Sequence, residues 1–230
     1  MRRITDFNRK WAFTKDADSV PAEMPKRWNY VNLPHTWNDI DGQDGGNDYY
    51  RGSGYYAKKF DKDEFPNAEK HFLEIKGANS SADVYVNGKH LAHHDGGYST
   101  WRVDMTEALD LNNLLVVAVD NAPNETVYPQ MADFTFYGGI YRDVNIIAVS
   151  ESHFDLDYHG GPGIMVTPVI EGTTAKVGVE VFVTNKKDDQ VLAYRIKDAE
   201  GNVVGDITSE DTAVIFEVEN VHLWHGRKDP

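Results

Sequence analysis

The stretch Asp83-Val84-Tyr85-Val86-Asn87-Gly88-Lys89-His90-Leu91-Ala92 carries the signal of a complete β-hairpin. Val84 and Val86 alternate with polar or aromatic neighbours, which is the period of two that a half-buried strand requires. Asn87-Gly88 follows at once and favours a type I′ turn, because both central positions of that turn need a positive φ angle. The sequence therefore predicts two antiparallel strands, with residues 89–92 as the returning one.

Strand patterns continue on the C-terminal side of this hairpin. Residues 114–119 form a nearly continuous apolar run, which predicts a strand buried on both faces, and residues 140–149 predict another. Farther along, apolar residues fill every second position of three regular strands. Their apolar positions are Ala175, Val177, Val179, Val181 and Val183, then Leu192, Tyr194 and Ile196, and finally Val214, Phe216 and Val218. The predicted fold class is all-β, with one short helix-like turn near residues 105–109.

A polar and glycine-rich stretch divides the chain into two predicted sandwiches. Residues 150–152 are polar, and Gly160-Gly161-Pro162-Gly163 is a strong breaker of regular structure. We expect one β-sandwich over residues 1–150 and a smaller one over residues 151–230. The smaller region offers about five strands, whereas an immunoglobulin-type sandwich has about seven in about 100 residues. The second sandwich is therefore expected to be truncated at its C-terminal end, with open edges that recruit another chain.

Charge and composition exclude several classes of partner and of chemical site. The formal net charge is −14, and such a surface repels phosphate backbones and anionic membranes, which argues against both as partners. The absence of cysteine excludes disulfides, zinc–thiolate sites and cysteine nucleophiles. No apolar run approaches the ~18 residues of a membrane span. The first eight residues lack the apolar region of a signal peptide. The location is therefore either the bacterial cytoplasm or, if a signal peptide was removed, the periplasm or the outside of the cell.

Seven motifs occur in order along essentially the whole chain. They are LPHTWN at 33–38, YRGSGYYAKKF at 50–60, VYVNG at 84–88, GGYS at 96–99 with DMT at 104–106, ADFTFYGGIYRDV at 132–144, the glycine-rich junction around Pro162, and HLW at 222–224 with DP at 229–230. Together they resemble glycoside hydrolase family 2, which contains β-galactosidases, β-glucuronidases and β-mannosidases. A single motif of this kind is weak, whereas seven in order are specific.

The resemblance implies a jelly-roll sugar-binding-type domain followed by an immunoglobulin-like domain. In the family a (β/α)₈ barrel follows and carries two catalytic glutamates, an acid/base and a nucleophile, with carboxyls ~5–5.5 Å apart. These 230 residues are expected to end before that barrel, so no catalytic residue is expected among them. The expected function is the non-catalytic N-terminal region of a retaining, β-galactosidase-like enzyme, inactive alone. Expected partners are the barrel, a β-galactoside-like carbohydrate in the full-length enzyme, and a second copy of the chain.

An alternative function is a free-standing carbohydrate-binding or adhesion module. Its motivation is the aromatic content of 12%, with 12 Tyr and 5 Trp, because flat rings pack against pyranose faces as well as on pleated sheets. Sugar binding by the isolated chain would favour this alternative, and its absence would favour the enzyme region.

Asp133 is the strongest candidate for substrate binding. The resemblance implies that it reaches from the first domain to the active site of the barrel and contacts the sugar. A carboxylate suits this role because it accepts short, charge-assisted hydrogen bonds from two hydroxyl groups. The competing interpretation is a solvated loop aspartate that caps a turn.

Loop aromatics supply the remaining candidates. Trp37 and Tyr98 are predicted to contact substrate by stacking on sugar rings, and Tyr49, Tyr50 and Trp101 share this potential. The competing interpretation is packing against the sandwich or the barrel. Arg142 is expected to anchor the sandwich, since it points to the opposite strand face from Asp143.

Three groups of residues resemble metal sites in composition only. The Asp/Gly-rich residues 39–48 lack the terminal Glu of an EF-hand loop. His93 and His94 are adjacent and diverge on a strand, which argues against zinc. His153, Asp155, Asp157 and His159 share one face of an extended segment, which an ordinary half-exposed strand explains. No metal ligand and no cofactor is therefore predicted.

Overall fold

The hairpin at Asn87-Gly88 is present, with residues 81–86 paired antiparallel to residues 89–95. It belongs to a computed structural model that describes residues 2–41, 48–130, 132–224 and 226–228. The chain forms two units, Met1–Glu151 and Ser152–Pro230. Both are built of strands with short 3-10 turns, so the predicted all-β class is confirmed. In the described residues no helix is long and apolar enough to cross a membrane.

In its described residues the first unit contains ten strands in two antiparallel sheets. In chain order they are β1 (Arg3–Asp6), β2 (Trp11–Thr14), β3 (Asn29–Val31), β4 (Ser53–Asp61), β5 (Lys70–Ile75), β6 (Ser81–Val86), β7 (Lys89–Asp95), β8 (Trp101–Asp104), β9 (Asn112–Asp120) and β10 (Val144–Val149). The larger sheet has the order β3-β2-β4-β9-β6-β7, and the smaller has the order β1-β10-β5-β8. Side chains from both sheets form one core between them, which makes the unit a sandwich.

The continuous apolar run of β9 is explained by burial of both faces of this strand. Leu115, Val117 and Val119 point into the main core. Leu114 and Val116 point to the other face of the sheet, where they pack with Ala12 and Ala57. The partly buried side chains of Val20, Met24 and Trp28 cover this second cluster. Because both faces are covered, no polar residue is needed at alternate positions, and the prediction of a strand buried on both faces is confirmed.

The described part of the second unit contains seven strands in three small sheets. They are β11 (His153–Phe154), β12 (Ile164–Glu171), β13 (Thr174–Val181), β14 (Val183–Thr184), β15 (Leu192–Lys197), β16 (Val203–Ser209) and β17 (Ala213–Val218). Their sheets are β12-β13-β17, β15-β16 and β11-β14. Val181, Tyr194 and Phe216 form its buried centre and join the first two sheets into a small sandwich.

The helix-like turn near residues 105–109 is a single 3-10 turn, Thr106–Ala108, which connects β8 to β9. The segment around His153 differs from its prediction. Only His153–Phe154 is strand, because the Asp155 carboxylate accepts the backbone N–H groups of Asp157 at 2.8 Å and Tyr158 at 2.7 Å and bends the chain. The predicted extended face from His153 to His159 is therefore wrong.

Candidate functional site

Three motif segments meet at one end of the first unit, around the buried side chain of Asn38. Its Oδ1 accepts the backbone N–H of Gly138 at 2.7 Å and the side-chain N–H of Asn121 at 3.2 Å. Its Nδ2 donates to the Tyr50 carbonyl at 2.9 Å and to the Asp41 carboxylate at 3.1 Å. One amide thus ties residues 33–41 to the start of β4 and to the loop before β10.

Asn121 completes this buried polar centre from the end of β9. Its Oδ1 accepts the N–H of Gly52 at 2.9 Å, and its Nδ2 donates to the Phe136 carbonyl at 3.3 Å as well as to Asn38. A buried amide is stable only when its hydrogen-bonding groups are satisfied. The two asparagines, named here the Asn38–Asn121 hub, therefore hold the surrounding loops in one arrangement.

Beside the hub, the half-buried His35 forms a second contact with the buried Tyr56. His35 Nδ1 lies 2.8 Å from the Tyr56 hydroxyl, which also accepts the N–H of Ile140 at 3.4 Å. Burial lowers the pKa of His35, an effect that Asp39 partly opposes. Burial also raises the pKa of Tyr56. These shifts favour the neutral form of both groups. In the tautomer that carries its proton on Nε2, His35 accepts the Tyr56 hydroxyl proton at Nδ1.

Gly139 passes close to this pair with a φ angle of +118°. A Cβ atom there would lie 2.6 Å from the His35 carbonyl oxygen and 2.7 Å from the Tyr56 hydroxyl. Neither approach is compatible with a side chain, and the φ angle itself favours glycine. The Gly138-Gly139 pair thus lets the loop before β10 run directly over His35 and Tyr56.

Asp133 lies on the loop that the hub anchors, and its side chain is exposed. Its loop is held in place at Phe136, whose carbonyl accepts a hydrogen bond from Asn121 and whose N–H points to the Tyr49 hydroxyl at 3.4 Å. Phe134 packs on Phe136 with ring centroids 4.8 Å apart. The carboxylate is thus presented to solvent from an anchored loop. Its contact with sugar stays a prediction.

Trp37 is buried, with 6% of its surface exposed. Phe13 lies parallel to its ring at 5.9 Å. A Cβ on Gly138 would lie 2.2 Å from the ring, and one on Gly54 would lie 2.5 Å from it. The ring is enclosed by the sandwich, which favours the packing interpretation of Trp37 over stacking on a sugar.

Trp101 packs in the same manner, since its buried ring stacks on His94 at 4.8 Å with an interplanar angle of 11°.

Tyr98 differs, since 56% of its surface is exposed. Its ring meets Tyr141 edge-on at 6.4 Å. Its backbone is held by Arg142, whose Nη1 donates to the Tyr98 carbonyl at 2.9 Å. Arg142 thus binds a carbonyl, which is one of the anchoring roles expected for it. Contact of Tyr98 with a sugar remains a prediction.

Asn79 connects the loop of Tyr98 to the loop of Asp133. Its Nδ2 donates to the Tyr137 carbonyl at 2.9 Å. Its side chain packs so closely on Gly97 that a Cβ there would lie 2.5 Å away. The sequence brings out both loops as motifs but gives no sign that Asn79 joins them. The Asn38–Asn121 hub was missed for the same reason, although Asn38 ends the LPHTWN motif.

The described residues contain no cluster of side chains suited to binding a metal ion. No group of three or more His, Cys, Asp or Glu side chains there has the geometry to hold an ion. Asp41 is engaged by Asn38 and by the N–H of Tyr50 at 2.9 Å. Asp44 and Asn47, which belong to the Asp/Gly-rich stretch, lie outside the described residues.

Comparisons with known proteins show which family this chain resembles in sequence and fold. Residues 50–162 match the family model described as glycosyl hydrolase 2 galactose-binding domain-like. A β-glucuronidase of Bacteroides fragilis is 33% identical over 87% of this chain and 31% of its own length. The β-galactosidase BoGH2A of Bacteroides ovatus is 29% identical over 97% of this chain and 28% of its own length. The chain thus spans about a third of such relatives.

A solved structure shares the fold over nearly the whole chain. It is an FMN-binding β-glucuronidase from Facaelibacterium prausnitzii L2-6, with a TM-score of 0.87 and 39% identity. The match covers 97% of this chain and 35% of that one.

Proposed function

Because the chain belongs to glycoside hydrolase family 2, we propose that it is the non-catalytic N-terminal region of a retaining β-glycosidase. The complete enzyme would hydrolyse O-glycosidic bonds of carbohydrates. The chain would support a (β/α)₈ barrel and border its active site. In favour of this role, the chain is all-β and spans about a third of its relatives' length.

The observation that carries the proposal is the exposed Asp133 on a loop fixed from below by the Asn38–Asn121 hub. A group that borders an active site must be exposed before the neighbouring domain covers it, and it must be held in place to bind precisely. Asp133 meets both conditions. Tyr98 is exposed on a loop that Asn79 joins to the same region. We propose that these two residues contact the sugar.

Retaining hydrolysis needs two carboxyls ~5–5.5 Å apart with access to substrate. At this end of the first unit, Asp41 is held by Asn38 and Tyr50. Asp120 is held by the Ser53 hydroxyl at 2.5 Å and by the Ala122 N–H at 2.6 Å. Asp133 therefore has no free carboxylate partner among these residues, and we propose that the chain alone is inactive.

The sugar is proposed as a β-galactoside-like carbohydrate. The relatives named above include both β-glucuronidases and a β-galactosidase. An activity test of the full-length enzyme therefore has to use β-linked uronides as well as β-galactosides as substrates.

The test uses a full-length enzyme that carries this chain as its N-terminal region. Asp133→Asn removes the charge but keeps the shape, and kcat/KM is expected to fall about 10- to 100-fold, as for a lost hydrogen bond to a charged group. Asp63→Asn is the matched control, since Asp63 is also exposed but lies in the 3-10 turn Lys62–Glu64. Equal activity of the two variants would contradict the role of Asp133.

Calorimetry on the isolated chain addresses the alternative of a free-standing carbohydrate-binding module. The alternative draws on exposed aromatic side chains such as Tyr98, Tyr128 and Phe134. We expect no sub-millimolar binding of galactosides, glucuronides or polysaccharides by the isolated chain. Saturable binding in that range would favour the module instead.

A further inference from the structure

The hairpin of β6 and β7 carries a row of polar side chains that the proposed function does not use. β7 is the outermost strand of the six-stranded sheet in the described residues, so β6 alone pairs with it. Asp83 lies directly opposite His93, and Ser81 lies directly opposite Asp95. The four residues share one face of the hairpin, because side chains two positions apart point the same way.

His93 bridges two carboxylates. Its Nδ1 lies 3.1 Å from Asp83 Oδ1, and its Nε2 lies 3.1 Å from Asp95 Oδ1. An ionised carboxylate only accepts hydrogen bonds, and a neutral imidazole carries only one N–H. Both contacts are therefore hydrogen bonds only if the site holds one extra proton.

The proton is best placed on the imidazole of His93. The Ser81 hydroxyl donates to Asp95 Oδ1 at 2.7 Å, and hydrogen bonding to the charged form favours an ionised carboxylate. In keeping with this, the Ser81 hydrogen bond is the main cause that lowers the pKa of Asp95. Burial lowers the pKa of His93, but hydrogen bonds and charge from Asp83 and Asp95 outweigh it and raise that pKa overall.

Neighbouring groups do not replace these two carboxylates. His90 donates from Nε2 to Asp83 Oδ1 at 2.7 Å, a single contact that a neutral ring can make. His94, next in the chain, stacks on Trp101. On the adjoining β9, Ala118 is opposite Asp83, and Asp120 is opposite Ser81 but is held by Ser53. Tyr85 also lies near the hairpin, and its pKa is raised first by burial and second by the charge of Asp83. The Thr126 hydroxyl faces Asp95.

We propose that Asp83, His93 and Asp95 form a pH-sensitive latch in which protonated His93 holds the edge strand β7 on β6. Loss of the proton leaves one ring nitrogen with a lone pair directed at a carboxylate oxygen, so one hydrogen bond is replaced by repulsion. An open edge strand has partners on one side only, so its amides are the ones that such a loss would loosen.

The direction of the effect follows from linkage. A histidine with a raised folded-state pKa binds its proton more tightly in the folded chain than in the unfolded one. The stabilisation is complete below the unfolded pKa of ~6.5. It is lost as the pH rises through the folded-state pKa of His93.

The experiment is an NMR pH titration of the histidine rings in the full chain, combined with amide hydrogen exchange. The His93 pKa is expected to lie above that of an unstructured histidine peptide. It should fall in Asp95→Asn and in Asp83→Asn and stay unchanged in the control Asp63→Asn. Protection of the β7 amides, corrected for intrinsic exchange, should decrease as the pH passes the measured His93 pKa. In His93→Gln this decrease should be absent.

A His93 pKa at or below the peptide value would overturn the proposal. So would β7 protection that changes with pH in the same way in wild type and His93→Gln. The first of these outcomes is measured on the wild-type chain alone, so the proposal can be overturned even if a variant fails to fold.

Discussion

Asn121 Nδ2 donates to Asn38 Oδ1 over 3.2 Å, although 83 residues separate the two along the chain. Both side chains are buried, and together they contact the backbone of four loop residues: Gly138, Tyr50, Gly52 and Phe136. The loop that presents Asp133 therefore takes its position from a pair of amides in the interior.

Replacement of Asn121 by Ala is expected to destabilise the first unit by about 2–4 kcal/mol, because it removes the partner of the Gly52 N–H and of the Phe136 carbonyl and one of the hydrogen bonds to Asn38. Urea unfolding followed by tryptophan fluorescence measures the change. Asn112→Ala is the control, since Asn112 is exposed at the start of β9, and its effect should stay within about 0.5 kcal/mol. Equal effects of the two substitutions would show that the hub contributes little.

Gly139 and Gly88 form a matched pair for a second prediction, since both have positive φ angles. A Cβ at Gly139 would meet the His35 carbonyl and the Tyr56 hydroxyl, whereas a Cβ at Gly88 would meet nothing within 4 Å. Gly139→Ala is therefore expected to cost about 3 kcal/mol or more, and Gly88→Ala only about 1 kcal/mol. Thermal and urea unfolding check the ranking, and a reversed order would refute the assigned close contact.

The fold was predictable because its signals are local. The hairpin at Asn87-Gly88 and the period of two in β13 each lie within about ten residues of sequence. The hub was not predictable, since a buried asparagine and an exposed one look alike in a sequence. Trp37 shows the same limit, because only the approach of Phe13, Gly54 and Gly138 decides that its ring is enclosed.

Asp133 was found through the family resemblance, because an aspartate that contacts a sugar and one that caps a turn look alike in a sequence. The bend after His153 shows a different limit. The alternation of polar and apolar residues there is typical of a strand, but the Asp155 carboxylate offers the backbone a competing turn. Such competition is local, yet its outcome depends on contacts such as the hydrogen bond of Thr184 to Asp155 at 2.9 Å.

His35 leads to a prediction of pH dependence opposite in sign to that of His93. Since burial lowers the pKa of His35, the unfolded chain binds the proton more tightly, and protonation favours unfolding. The free energy of unfolding should therefore fall as the pH drops below ~6.5, the ordinary histidine value. Urea unfolding at several pH values should show this fall in wild type and a smaller one in His35→Gln. A parallel response of both proteins would exclude His35 as the cause.

The edge of β12 in the second unit leads to the last prediction. Within the described residues β12 pairs with β13 alone. Because Phe182 donates to the Gly163 carbonyl, strand alternation directs the backbone groups of Ile164, Val166, Pro168 and Ile170 to the open side. Pro168 lacks an N–H, so its position there costs the ladder to β13 nothing.

Exposed Met165, Val166 and Val169 make this edge apolar, and open apolar edges tend to pair with other chains. We expect the chain to self-associate at high concentration, and Val169→Lys to shift it toward monomer, because a lysine on an edge strand opposes pairing. Val191→Lys is the control, since Val191 is similarly exposed but lies outside the strands. Light scattering over a range of concentrations measures the effect. A monomer at every concentration, or equal behaviour of both variants, would show that β12 is not the contact.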